Sequence, residues 1–135
     1  MIWLLRHGDA EHGQPDDDRR LTEKGERQSR AAGEALKAQG AHPELCLSSP
    51  KVRALQTAEL ACEALGIEVR TDNRLRGGSF DPRELAAGLD EVLLVGHEPD
   101  FSDAIHAVTA ESVDLKKGAF AGIDGRTLRV PPRRG

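Results

Sequence analysis

The chain has 135 residues, of which 38% are hydrophobic and 31% charged, and its formal net charge is -4. That length supports one hydrophobic core, so a single domain over residues 1–135 is expected, and the mildly acidic balance argues against nucleic acid or an anionic membrane surface as a partner. With three Phe, one Trp and no Tyr, the core has to be aliphatic. The two cysteines, Cys46 and Cys62, have no CxxC spacing and read as buried free thiols.

Ile2 to Leu5 is an apolar run that predicts a buried strand, too short for a signal-peptide core or a membrane span. No longer apolar stretch follows it, so a cytoplasmic protein is expected. Residues 8–20 form a polar, acid-rich loop. Thr22 is placed to cap a helix running to about Gln39, with Ala32, Ala35 and Leu36 on its apolar face and Glu26, Arg27, Glu34 and Lys37 toward water. Gly40 ends it. Leu45-Cys46-Leu47 predicts a second strand, and Ser48-Ser49-Pro50 opens a helix through Leu65 that Gly66 stops. Residues 67–70 predict a third strand, residues 72–79 an irregular stretch and residues 82–88 a short helix. Val92-Leu93-Leu94-Val95 is the clearest later strand, followed by a helix over 100–108. Short terminal strands are expected at 113–115, 120–123 and 128–130, and a loose tail after them.

Alternating strands and helices predict an α/β fold, with three α/β/α layers and a mostly parallel central sheet. In that arrangement Arg6 and His7, the segment 48–53 and His97 follow three different strands. The carboxyl ends of parallel strands converge on one crevice, which makes a composite site there. Arginine supplies a planar fork of donors for phosphoryl oxygens, and histidine can carry a phosphoryl group covalently. No Gly-x-Gly-x-x-Gly or Walker phosphate loop occurs. Taken singly, Arg6 also suits a salt bridge, Arg53 a solvent-facing helix position and His97 a turn.

Four stretches carry a more specific signal. Leu5-Arg6-His7-Gly8-Asp9-Ala10, Arg19-Arg20-Leu21-Thr22-Glu23-Lys24-Gly25, Ser48-Ser49-Pro50-Lys51-Val52-Arg53-Ala54-Leu55-Gln56-Thr57-Ala58 and Val95-Gly96-His97-Glu98-Pro99 together resemble the histidine phosphatase (phosphoglycerate mutase-like) superfamily. Within it, they look like the small bacterial phosphohistidine phosphatases, the SixA-like branch. Lys116-Lys117-Gly118 is similar to a weaker feature of that branch. The resemblance implies a three-layer α/β domain and a metal-independent phosphatase site at the carboxyl edge of the sheet. It assigns His7 as the nucleophile, and Arg6, Arg53 and His97 as the groups that bind and stabilise the phosphoryl oxygens, His97 preferably as imidazolium. Arg19 is carried over as a substrate-binding residue or an orienter of the acidic loop. Asp9 and Glu98 are expected to fix rings or loops, and Gly8 and Gly96 to allow close substrate approach and a sharp strand exit.

One departure matters. Larger members of the superfamily carry an acidic proton donor after the third strand, where this chain reads Arg74-Leu75-Arg76-Gly77-Gly78. A departing alkoxide needs a proton, whereas the imidazole of phosphohistidine leaves more readily. The implied activity is therefore removal of phosphoryl groups from protein histidine, with Asp81 and Glu84 as the carboxylates to consider as donors. Two readings stay open: a phosphatase of small phosphorylated metabolites or other phosphomonoesters, and a noncatalytic phosphate-binding module. No cofactor or metal is expected; Asp16-Asp17-Asp18 reads as a solvated loop. The expected partner is a phosphohistidine-containing protein, with no nucleic acid or membrane, and a monomer is expected.

Overall fold

A computed structural model describes residues 1–130, so the tail expectation for 131–135 lies outside the described residues. The chain forms β1 (Ile2–Arg6), a 3-10 turn (Asp16–Asp18), α1 (Glu23–Ala38), β2 (Leu45–Ser48), α2 (Val52–Leu65), β3 (Val69–Thr71), a second 3-10 turn (Asn73–Leu75), α3 (Pro82–Leu85), β4 (Val92–Gly96), α4 (Asp100–Thr109), β5 (Phe120–Asp124) and β6 (Thr127–Arg129). The sheet order is β3-β2-β4-β1-β5-β6. Its first three pairings are parallel and its last two antiparallel, as expected of a mostly parallel sheet.

The period of two along each strand builds the layers. Ile2, Leu4, Val92 and Leu94 point to a core completed by Leu85 of α3 and by Phe101, Ile105 and Val108 of α4. Trp3, Leu5, Leu93 and Val95 point the other way, onto Ala32 and Leu36 of α1 and Ala54, Ala58 and Ala61 of α2. Trp3 meets Phe120 edge-on at 5.9 Å between ring centroids and donates from Nε1 to Glu91 at 2.9 Å. Buried on both faces, β1 and β4 carry apolar side chains in both directions, as a two-sided parallel sheet requires. Cys46 and Cys62 are buried free thiols on the second face.

Local signals set the element ends. The Thr22 hydroxyl accepts from Gly25 N at 3.0 Å and caps α1, and Gly66 at φ 66° ends α2 in the left-handed conformation. Gly33 lies so close to Ala61 O that a Cβ there would come within 2.3 Å, which lets α1 and α2 approach closely. Two strand expectations shift: β3 begins at Val69 instead of residue 67, and β6 at Thr127 instead of residue 128. The strand expected at 113–115 does not form; its backbone is spent on the site, Leu115 N donating to Glu98 at 3.2 Å and Leu115 O accepting from Arg6 at 2.9 Å.

Candidate active site

Parallel pairing places Arg6 beside Gly96 and Ser48 beside Val95, so β1, β2 and β4 end together. The backbone continues the ladder past the strands: His7 N donates to Gly96 O at 3.0 Å and Ser49 N to Val95 O at 2.9 Å. Gly118 N donates to the carbonyls of both Arg6 and His7 at 3.1 Å, tying the 116–118 turn to the same edge. Arg53 reaches this edge from the first turn of α2. One turn further, Thr57 accepts from Gly8 N at 3.0 Å and donates to Arg53 O at 2.8 Å, joining the His7 loop to that helix. A cavity of about 330 Å³ opens here, with Arg6, His7, Arg19, Lys51, Arg53, Arg76, His97, Glu98, Asp100 and Lys117 among its walls. A larger, mostly apolar groove near Ala31, Ala35, Val113 and Phe120 has no comparable convergence of charged groups.

All five site residues expected from the sequence line that one cavity. His7, Arg53 and His97 are buried, at 8%, 6% and 7% exposure. The two imidazoles lie 5.2 Å apart between centroids. Nδ1 of His7 is 2.7 Å from Gly8 O; a carbonyl only accepts, so Nδ1 holds the proton and Nε2 presents a lone pair. Nε2 of His97 contacts Ser49 Oγ at 2.8 Å, while Ser49 Oγ also accepts from Lys51 N at 3.2 Å. The set is satisfied when the Ser49 hydroxyl donates to Nε2 and Nδ1 of His97 keeps its proton. That Nδ1, Nε of Arg6 and Nε of Arg53 are buried without a protein partner. Unpaired buried polar atoms are costly, and these three belong to residues that line one cavity together with Arg19, Lys51, Arg76 and Lys117, a cationic setting suited to an anion.

Burial, opposed by the Gly8 hydrogen bond and reinforced by Arg53, Arg6 and Arg19, pushes the His7 pKa down to about 4. Burial, then the charges of His7, Arg53 and Lys51, pushes His97 down to about 3. Burial and these cations favour the neutral form of both rings, so the imidazolium expected at His97 requires the negative charge of a phosphoryl group beside it. Desolvation and neighbouring cations oppose a further positive charge. The neutral ring still offers Nδ1–H as a donor.

Other expectations resolve into structural duties. Glu98 accepts from Ser102 N at 2.7 Å, from the Ser102 hydroxyl and from Leu115 N. Asp9 accepts from Thr22 Oγ at 2.9 Å and Lys117 Nζ at 3.0 Å. Both fix loops. Gly8 and Gly96 serve packing rather than substrate approach or a sharp strand exit: a Cβ on Gly8 would fall 2.6 Å from Gly25 O, and one on Gly96 2.8 Å from the Phe101 ring. Asp81 caps α3 through Arg83 N and pairs with Arg83; neither it nor Glu84 lines the cavity, which removes both as donors in this geometry. Asp16 and Asp17 are more than a solvated loop, since they pair with Arg19, Lys51, Arg53 and Arg76. Ser49, Lys51, Thr57, Arg76 and Lys117 fall within stretches quoted from the sequence but were given no role there, and Asp100 was read only as a helix start. Thr57 had a further local cue, lying four residues from Arg53 on the same helix face. Among the described residues, no group of three His, Cys, Asp or Glu could hold a metal ion, and no helix is long and apolar enough to cross a membrane.

The family model of the histidine phosphatase superfamily (branch 1) matches residues 2–113. The chain belongs to that superfamily. It is a phosphatase-like hydrolase of this metal-independent group, with the α/β/α fold its motifs imply. A relative from Picosynechococcus sp., an uncharacterised protein, is 35% identical over 96% of this chain and 87% of its own length. A 2,3-bisphosphoglycerate-dependent phosphoglycerate mutase of Sphingopyxis alaskensis is 40% identical over 64% of this chain but only 44% of the mutase. Among solved structures, the putative phosphohistidine phosphatase SixA from Agrobacterium tumefaciens superposes with a TM-score of 0.82 at 25% identity, covering 96% of this chain and 93% of that one. The protein histidine phosphatase SixA complexed with tungstate gives 0.80 at 25% identity, covering 96% of each chain.

Proposed function

We propose that this histidine phosphatase removes phosphoryl groups from protein phosphohistidine through a covalent intermediate on His7. The observation that carries the reading is the convergence of Arg6, His7, Arg53 and His97 on one cavity, with Nε of Arg6, Nε of Arg53 and Nδ1 of His97 left without a protein partner. Nε2 of His7 attacks phosphorus as the bond to the substrate imidazole breaks. That imidazole, protonated on its other nitrogen, departs as a neutral ring. Water then attacks phosphorus, the bond to Nε2 breaks and inorganic phosphate leaves, the water's proton passing to solvent. Throughout, Arg6, Arg53 and His97 hold the nonbridging oxygens and offset the charge that develops on them.

Two features favour a phosphoramidate substrate. Arg76 and Gly77 line the cavity in the stretch where larger relatives carry an acid, and the paired positions of Asp81 and Glu98 leave neither poised to donate a proton. The close superposition on SixA structures supports the same substrate class. Turnover of a phosphohistidine peptide against a matched phosphoserine peptide tests it. Phosphohistidine should show the higher kcat and kcat/KM; equal or faster phosphoserine turnover overturns the substrate assignment.

A second reading, a phosphomonoester phosphatase, is favoured by Asp100. This carboxylate at the start of α4 also lines the cavity, its Oδ2 accepting from Gly78 N at 3.2 Å. If monoesters are the true substrates, Asp100→Asn will depress their turnover far more than phosphohistidine turnover, because only the alkoxide depends on a proton donor.

A further inference from the structure

The acidic turn before α1 touches the cations of the site from outside the cavity. Asp16 receives Arg53 twice, its backbone carbonyl accepting from Nη1 at 2.9 Å and its carboxylate from Nη2 at 3.2 Å. The same carboxylate takes Nε of Arg19 at 2.9 Å and lies 3.6 Å from Nζ of Lys51. The cavity is walled by Arg19, Lys51 and Arg53, whereas Asp16 is not part of the wall.

Arg53 shows what the arrangement accomplishes. Its guanidinium offers five N–H donors in a rigid plane, and Asp16 engages one on each terminal nitrogen. The Nε–H is buried and has no protein partner. Held by its far end, the plane cannot rotate about the terminal bond without losing two hydrogen bonds, so its free Nε–H and remaining Nη donors keep a fixed aim.

Resting on the reading that the cavity binds phosphoryl groups, we infer that Asp16 is a positioning residue for Arg53, and through the same carboxylate for Arg19 and Lys51. It orients the donors that meet the phosphoryl oxygens without touching substrate. Asp18 lies in the same turn and is exposed, yet makes no ion pair or side-chain hydrogen bond with the described residues. It carries the same charge without the contacts.

That contrast sets the sign of the test. Removing a negative charge near an anion site strengthens anion binding by Coulomb's law alone. Loss of positioning weakens it. Tungstate affinity is measured by calorimetry on the whole chain and on its Asp16→Asn, Asp16→Glu and Asp18→Asn variants, beside kcat and KM on a phosphohistidine peptide and thermal midpoints to confirm folding. Asp16→Asn should bind tungstate about tenfold more weakly and lose a similar factor in kcat, on the scale found for outer partners of metal-site ligands. Asp16→Glu, which keeps the carboxylate, should recover most of both, while Asp18→Asn binds as the parent does or slightly more tightly. Parent-like or tighter tungstate binding by folded Asp16→Asn overturns the inference and makes the carboxylate a competitor for Arg53. If Asp16→Asn fails to fold, a folded Asp16→Ser takes its place: tungstate binding weakened about tenfold beside parent-like Asp18→Asn sustains the inference, and parent-like or tighter binding by Asp16→Ser overturns it. A parent protein that binds no tungstate overturns the phosphoryl-site reading itself and this inference with it.

Discussion

The floor and the rim of the cavity are built by different means. On the floor, Arg6, His7 and His97 sit at the ends of adjacent parallel strands, their backbones continuing the sheet ladder, the two histidines buried and Arg6 partly buried. On the rim, Arg76 and Lys51 are held by the carboxylate of Asp17, and Lys117 by that of Asp9, with partners that are well exposed on at least one side. Strand register fixes the first group, and rearranging it would cost buried hydrogen bonds. The second is held by contacts that water and salt weaken. Under the proposed function, the chemistry falls to the rigid part and substrate reading to the adjustable part.

Removing the floor's proposed nucleophile is the strongest way to break this contrast. His7→Ala should lower turnover of a phosphohistidine peptide by at least about a thousandfold, the scale on which loss of a nucleophile acts. A folded variant retaining parental turnover rejects the covalent route. Arg53→Lys comes next, since an ammonium keeps the charge but not the fork. It should raise the barrier by about 2 to 4 kcal/mol in kcat/KM, as for a missing oxyanion donor. Unchanged kcat/KM in that variant would place Arg53 with the adjustable rim.

Acid should also find the floor first. Both rings titrate below the free histidine value of 6.5, at about 4 for His7 and about 3 for His97. As pH falls below about 6.5, the unfolded chain takes up protons that the folded chain refuses, so stability present at neutral pH declines toward pH 4. Each ring contributes about 2 to 3 kcal/mol of that decline by about pH 4.5. Urea unfolding at pH 7.5 and 4.5 should therefore show a smaller difference for His97→Gln than for the parent. An undiminished difference means that His97 is not desolvated as the structure has it. By the same shift, the acid limb of kcat/KM should lie well below pH 6.5; a limb at the ordinary histidine value contradicts a neutral, buried nucleophile.

The smallest effect belongs to the rim. Asp17→Asn removes the partner of Arg76 and should alter stability by less than about 1 kcal/mol, an effect that disappears in high salt. A larger change that survives salt would show that the rim is as rigid as the floor.

The same division explains what was legible in the chain. Apolar runs at 2–5 and 92–95 announced β1 and β4, and therefore the junctions that present Arg6, His7 and His97. Contacts across the fold were not legible. The residues 113–115 have strand-like alternation, but their backbone is taken up by Arg6 and Glu98, 109 and 17 positions away for Leu115. The expectation of imidazolium at His97 followed from its chemistry toward a phosphoryl group. The burial and the neighbouring cations that favour the neutral ring come only from the folded arrangement. Asp81 looked like a possible acid because of its place in the chain, whereas its side chain is committed to the start of α3. Asp16 could not be separated from Asp17 and Asp18 by composition, because what distinguishes it is the position of Arg53, 37 residues later.

Trp3 gives the strand that leads into His7 an optical address. It is the chain's one tryptophan, with no tyrosine beside it, and it lies buried on β1 three positions before Arg6. Its indole is held between the Phe120 ring and the Glu91 carboxylate. The protein's intrinsic fluorescence therefore comes almost wholly from the strand that carries Arg6 into the cavity. Loosening of the pairing between β1 and β5, or of the Glu91 contact, will appear as a change in one emission band, without any label attached to the site.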